Sequence, residues 1–275
     1  MASHMNRKYT IAEEISHRTW FLLKLSQRPD VRLGEETLTD FLVIHLLLNP
    51  YNAVRVLPVM KPEEANNGAD LMIYVRKDRI RAHKYVVQAK KLHPTYGQYR
   101  TLNRDAGKSG RKQIDVLEEY AVECDAVPLY LLYNHIEEPI EGYSKYWHCG
   151  IECLDETQFG CTLVPSWHIR DAIDVRGSRN FHCVHLNDSA LPWRCAFDCP
   201  QGKNWRQIRE RFEASYHAHT GKSKPDIDFE GGLKKWPSDL LSATAPFEPS
   251  SDDIMQIGDE KYVPRWIMLV DPFRD

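Results

Sequence analysis

The sequence predicts an α/β fold, a mixed central sheet flanked by helices, with a C-terminal extension. Three observations predict it. Residues 68–92 read as a β-hairpin, two helical patterns precede it, and a further helical pattern runs into the nearly unbroken apolar stretch Val127–Asn134. An apolar run of that length marks a strand buried on both faces. With 275 residues, 42% of them hydrophobic, the chain can bury a full core. Met1-Ala2-Ser3-His4 reads as a vector-derived remnant ahead of Met5.

In chain order, Thr10-Ile11-Ala12-Glu13 has the form of a capping box. Ile11, Ile15, Leu22 and Leu25 recur at helical spacing, so a first helix is expected to reach about Leu25. Trp20 and Phe21 are expected to pack it onto the body, and Glu13 and Glu14 to serve as cap and surface. A second helix runs from Glu35 to Leu48 and stops before Pro50, with Leu38, Phe41, Leu42 and His45 as its core stripe. Glu35 extends that stripe by one turn and Glu36 lies beside it; acids at this position also complement the helix dipole. Ala53–Met60 reads as the first strand, placed by Pro58 at an edge or a bend.

The hairpin carries the chemistry. Leu71, Ile73, Val75, Tyr85 and Val87 are strand formers on either side of the solvated turn Arg76-Lys77-Asp78-Arg79. Side chains at i and i+2 share a face, so Gln88 and Lys90 project to one side and Val87 and Ala89 to the other. Antiparallel pairing sets Asp70 roughly opposite Gln88. A carboxylate, an amide oxygen and an ammonium then lie within reach of one another, the outline of a metal-and-water site.

Ala106-Gly107-Lys108-Ser109 hints at a phosphate loop, but a Walker motif requires Gly at position 102, which is Leu. Nucleotide hydrolysis is excluded on that basis. Gln113–Cys124 is the next helix, with Ile114, Leu117, Tyr120 and Ala121 inward. Helices are expected at 166–174 and 204–217, an irregular covering segment at 220–260, and a late strand at 263–270. The seven cysteines are an odd number on a chain that needs no staples, which favours reduced thiols in a cytoplasm. Cys149, Cys153, Cys195 and Cys199, with His148 or His182, are the candidates for a structural zinc site, set against core packing.

Gly68-Ala69-Asp70, followed by a strand ending in Gln88-Ala89-Lys90, resembles the PD-(D/E)XK nucleases, in the Mrr-like branch where Gln replaces the second acid. The resemblance implies a restriction-endonuclease-like core, for which helix, three strands, helix, strand is the expected order. It implies that Asp70 and Gln88 hold Mg²⁺ or Mn²⁺, that Lys90 assists the attacking water, and that Glu35 or Glu36 completes the site. Spacing does not choose between those two. Glu63 and Glu64, just ahead of Asp70, are candidates for a second cation or water, or form a plain acidic loop. Glu35–Asp40, Gln113-Ile114-Asp115, Pro128-Leu129-Tyr130 and Tyr133-Asn134 extend the likeness to a family of largely uncharacterised bacterial proteins over residues 10–136. The expected division is a nuclease core at 5–136 and an extension at 137–275 that completes or covers the same domain.

Net charge is −3, yet residues 76–112 hold twelve Lys or Arg against two acids. That tract is +10, and the remainder is −13. Lys91, Arg79, Arg81, Lys84, Arg100, Lys108, Arg111 and Lys112 are therefore candidates for phosphate contacts, set against a solvated basic surface. The reading is a metal-dependent DNA endonuclease of bacterial defence, cytoplasmic and without a membrane span, acting alone, as a homodimer or with a defence-system partner. The alternatives are a catalytically silent nucleic-acid- or partner-binding module of the same fold, or an effector nuclease that awaits an activating partner or signal.

Overall fold

The structure, a computed structural model, describes residues 7–48, 54–58, 68–76, 81–93, 95–106, 110–140, 155–174, 179–185, 190–197, 214–218, 220–221, 234–235 and 266–270. Its helices are α1 (Arg7–Leu25), α2 (Glu35–Leu48), α3 (Gln113–Glu123), α4 (Ser166–Asp174) and α5 (Phe181–His185). Its strands are β1 (Val54–Pro58), β2 (Leu71–Arg76), β3 (Arg81–Lys91), β4 (Val127–Tyr133), β5 (Cys161–Pro165), β6 (Leu191–Pro192), β7 (Lys234–Lys235) and β8 (Trp266–Val270). Among the described residues they form one eight-stranded sheet in the order β1-β8-β2-β3-β4-β5-β6, with β7 beside the start of β3. The β8–β2 and β3–β4 pairs are parallel and the rest antiparallel. This mixed sheet flanked by helices is the α/β arrangement of a restriction-endonuclease-like core.

Local pattern accounts for most elements. The helix from Glu35 to Leu48 has the predicted bounds; Leu38, Leu42 and His45 are buried, and Phe41 only half so. All seven residues of β4 are buried, because neighbours cover both its faces. α3 buries Ile114, Leu117, Tyr120 and Ala121 as its periodicity requires. The edge position expected from Pro58 also holds, since β1 borders only β8 among the described strands.

α1 departs from expectation at both ends. It begins at Arg7, so Thr10 lies inside the helix and is not its cap. At the other end Phe21 and Leu25 are 44% and 51% exposed, while Ala12, Ile15, Trp20 and Leu23 carry the burial. The helix rolls because it seats on the backbone of Gly160, where any Cβ would overlap the Ser16 carbonyl. Glu13 is drawn inward by the same seating and accepts a hydrogen bond from the buried Arg194 at 2.8 Å.

The late strand does more than return to the body. β8 inserts between β1 and β2 and runs parallel to β2, from Leu71↔Trp266 to Val75↔Val270. β5 and β6, beside β4, also come from beyond residue 136 and join the same sheet. Among the described residues no helix is long and apolar enough to cross a membrane.

Candidate active site

The β2–β3 register brings Leu71 opposite Val87, and one further step sets Asp70 against Gln88. The Asp70 amide donates to the Val87 carbonyl at 2.9 Å, fixing that step. Asp70 Oδ2 accepts from the Ala89 amide at 2.7 Å and from Gln88 Nε2. Gly68 makes the approach possible. Its φ is +66°, and a Cβ there would lie 3.1 Å from both the Gln113 carbonyl oxygen and the Leu117 nitrogen of α3. Only glycine accepts both the left-handed backbone and the close helix.

Two residues along β3, the Lys90 side chain is 2% exposed and its Nζ lies 3.6 Å from Glu35 Oε2. Glu35 opens α2 and faces β3. Its Oε1 accepts from the Lys91 amide at 3.1 Å and from Thr101 Oγ1 at 2.9 Å. One turn on, Thr39 Oγ1 bonds both the Glu35 carbonyl, at 3.1 Å, and Tyr133 Oη, at 2.9 Å, locking the helix end to β4. Glu36 points to solvent. Of the two acids that the spacing left open, Glu35 is therefore the one beside Lys90. A helix of 3.6 residues per turn turns adjacent side chains about 100° apart, which is why only one can face the strand.

The donor set can be tested against a divalent cation. Gln88 is buried, and among the described residues its Oε1 has no hydrogen-bond partner, because Nε2 faces Asp70 and the Ala89 carbonyl. Exchanging the amide's two ends turns that oxygen toward the Asp70 carboxylate, giving two convergent oxygen ligands. Mg²⁺ keeps several waters and needs only one or two carboxylates, so Asp70, Gln88 and water fit it. The amide is neutral, so the set would hold a cation less tightly than two acids would. Among the described residues no group of three His, Cys, Asp or Glu gathers at metal-binding distance.

Behind Gln88, in register on β4, lies Tyr130, a residue that sequence reasoning did not single out as part of the site. Its hydroxyl is buried and has no partner among the described residues. Burial, and after it the charge of Glu118, pushes this phenol well above its usual range, with Asp115 and Asp70 adding and Arg170 opposing. Burial likewise raises Tyr133. Arg170 reaches across from α4 to Asp115, at 2.9 Å, and to Glu118, whose other oxygen accepts from Ser166 Oγ at 2.8 Å. Thr101 and Gln113 were also missed; the Gln113 Oε1 is buried without a partner among the described residues, on the first turn of the helix that packs against Gly68. The in-register pairing of β3 and β4 is the signal that could have found Tyr130.

The candidate phosphate-binding residues scatter. Lys84 is buried, with its ammonium 5.6 Å from the Tyr74 ring centre, so it is not a surface contact. Strand alternation explains this, since Lys84 shares the inward face of Val86 and Gln88. Lys91 Nζ bonds the Leu33 carbonyl. Arg111 pairs with Glu119 at 2.5 Å and Lys112 with Asp105 at 2.7 Å, which reduces the free positive charge of the tract. Arg100 is exposed and stands over Tyr96, and Arg81 opens β3. Glu63, Glu64, Arg79 and Lys108 lie outside the described residues, as do Cys149, Cys153, Cys199 and His148 of the zinc set. Cys195 is buried.

A family model matches residues 9–265, which places this chain in DUF6615, a family of unknown function. No curated protein matches it.

Proposed function

We propose that this DUF6615 chain is a metal-dependent phosphodiesterase of the PD-(D/E)XK type, an endonuclease acting on DNA in bacterial defence. The observation that carries the reading is the meeting of Asp70, Gln88, Lys90 and Glu35 where the start of β2, the end of β3 and the first turn of α2 adjoin. Mg²⁺ or Mn²⁺ bound by Asp70 and Gln88 would supply Lewis-acid stabilisation of the charge that grows on the scissile phosphate. The chain's own groups divide the remaining work. Asp70 is aimed by the Ala89 amide. Lys90 brings a fixed ammonium to the place where a water attacks, and its burial strengthens that charge's field. Glu35 holds the ammonium in position and, through Thr101, ties it to the following loop. The Mrr-like resemblance of Gly68–Asp70 and Gln88–Lys90 supports DNA as substrate and defence as the setting.

The test is plasmid DNA incubated with the purified protein in Mg²⁺, in Mn²⁺ and in chelator, beside the Asp70→Ala and Lys90→Ala proteins. Cutting that requires metal and is lost in both variants is the expected result. Cutting by either variant at the wild-type rate overturns the assignment.

One observation favours a second reading, a binding module without hydrolysis. Asp70 Oδ2 is already satisfied by Gln88 and Ala89, and Lys90 by Glu35, so the cluster is stable without a cation. Calorimetric titration with Mn²⁺ separates the two, since the binding module takes up no metal that depends on Asp70.

A further inference from the structure

We propose that Tyr96 is a stacking platform for an unpaired base, so that the substrate presents a single-stranded DNA segment beside the cluster of Lys90 and Glu35. The inference rests on the nucleic-acid part of the reading above and does not require hydrolysis.

The loop between Lys91 and Thr101 is built to display this residue. Both its ends bind Glu35 Oε1, through the Lys91 amide and the Thr101 hydroxyl. Between them the chain forms a tight hairpin, with His93 paired to Gln98 and Gly97 at φ +57°. The amides of Tyr96 and Gly97 both donate to the His93 carbonyl, at 3.2 and 3.0 Å. The loop is pinned to the body by the bonds from the Leu92 amide to Tyr133 O, from the Tyr99 amide to Arg179 O and from the Phe181 amide to Gly97 O. The buried Tyr99 completes the anchorage by donating from its hydroxyl to Asn134 Oδ1 at 2.5 Å.

At the tip of this fixed hairpin Tyr96 is 59% exposed. Every other exposed large hydrophobic side chain among the described residues lies on α1 or α2. The Tyr96 ring is oriented by its neighbours. The Arg100 guanidinium stands 4.9 Å from its centre, and the His93 ring lies 4.7 Å away at a 44° tilt. Arg100 is itself exposed and so serves phosphates as well as the ring. An aromatic ring with an arginine over it, held out on an anchored loop, is the construction by which single strands are gripped without regard to sequence. In a duplex the faces of the bases are already covered by their neighbours, so the ring has no face to engage. Tyr96 is five residues from Lys91 and from Thr101, a reach of at most about 17 Å, which keeps the platform within a few nucleotides of the cluster.

The experiment measures binding by fluorescence anisotropy in chelator, where cleavage is absent, using a labelled oligothymidylate and a labelled duplex. Tyr96→Ala is expected to weaken binding of the single strand about tenfold, Tyr96→Phe to retain it, and neither to change binding of the duplex. Equal affinity of wild type and Tyr96→Ala for the single strand overturns the proposal. So does an equal loss on both probes, or a wild type that binds neither. Cleavage of plasmid together with Tyr96-independent binding fails this inference alone, whereas Tyr96-dependent binding without cleavage fails the nuclease reading alone.

Discussion

The Lys90 ammonium and the Glu35 carboxylate meet 3.6 Å apart, one at the end of β3 and the other at the start of α2. Lys90 is all but removed from solvent, whereas Glu35 keeps about a quarter of its side chain exposed. The pair joins a strand to a helix and places one charge inside the protein, so its energetics are testable apart from any activity.

Glu35→Gln leaves a buried ammonium without its carboxylate and is expected to cost about 2 kcal/mol, less than a fully enclosed pair because Glu35 reaches water. Glu36→Gln, on the solvent side of the same turn, is expected to change stability by less than about 0.5 kcal/mol. Urea unfolding of the two variants checks the contrast. Adding Lys90→Met to Glu35→Gln removes the stranded charge and should recover most of the loss.

Gly68→Ala meets two obstacles together. A left-handed residue with a Cβ costs about 1–2 kcal/mol, and this Cβ would press on the backbone of α3 at Gln113 and Leu117. The expected loss is about 2 kcal/mol or more, with weaker Asp70-dependent Mn²⁺ uptake, because Asp70 is placed by the same turn. Thermal unfolding and metal titration of the variant provide the measurements.

A chain of buried hydrogen bonds runs from the loop anchored by Tyr99 through Asn134 into β5 and α5. Tyr99 Oη donates to Asn134 Oδ1, Asn134 Nδ2 donates to Thr162 Oγ1 at 3.1 Å and to the Phe159 carbonyl at 2.7 Å, and His185 meets Thr162 Oγ1 at 2.8 Å. His185 Nδ1 lies 2.8 Å from the Phe181 carbonyl, which can only accept, so that nitrogen carries a proton and, in the neutral ring, Nε2 accepts from Thr162. Asn134→Leu strands several of these groups at once and is expected to cost about 3 kcal/mol. Tyr99→Phe removes a single donor and should cost about 1 kcal/mol. Chemical denaturation of both variants checks the ratio.

His93 supplies a pH dependence. Burial, and then the charges of Arg100 and Lys91, lower its proton affinity below the ordinary histidine range. The unfolded chain therefore takes up this proton more readily than the fold. The contribution to stability is present above about pH 6.5 and is lost as pH falls below it. An NMR titration should place the His93 midpoint below that of an unstructured histidine. Arg100→Ala should raise it only partly, since burial is the larger cause.

Much of the fold and part of the site follow from local pattern. The bounds of α2 and α4, the inward face of α3, the double burial of β4 and the opposition of Asp70 and Gln88 were legible. Each depends on the period of one element or on two strands joined by a short turn, where neighbours in sequence are neighbours in space. The tertiary structure alone decided that β8 enters between β1 and β2, that Glu35 rather than Glu36 reaches Lys90, and that Arg111 and Lys112 are spent on Glu119 and Asp105. The strand insertion joins segments far apart in the chain. The Glu35 contact depends on how a helix is rolled about its axis, and the two ion pairs on how the α3 region folds back. Periodicity shows which face of an element is buried, and only the packed structure shows what that face meets.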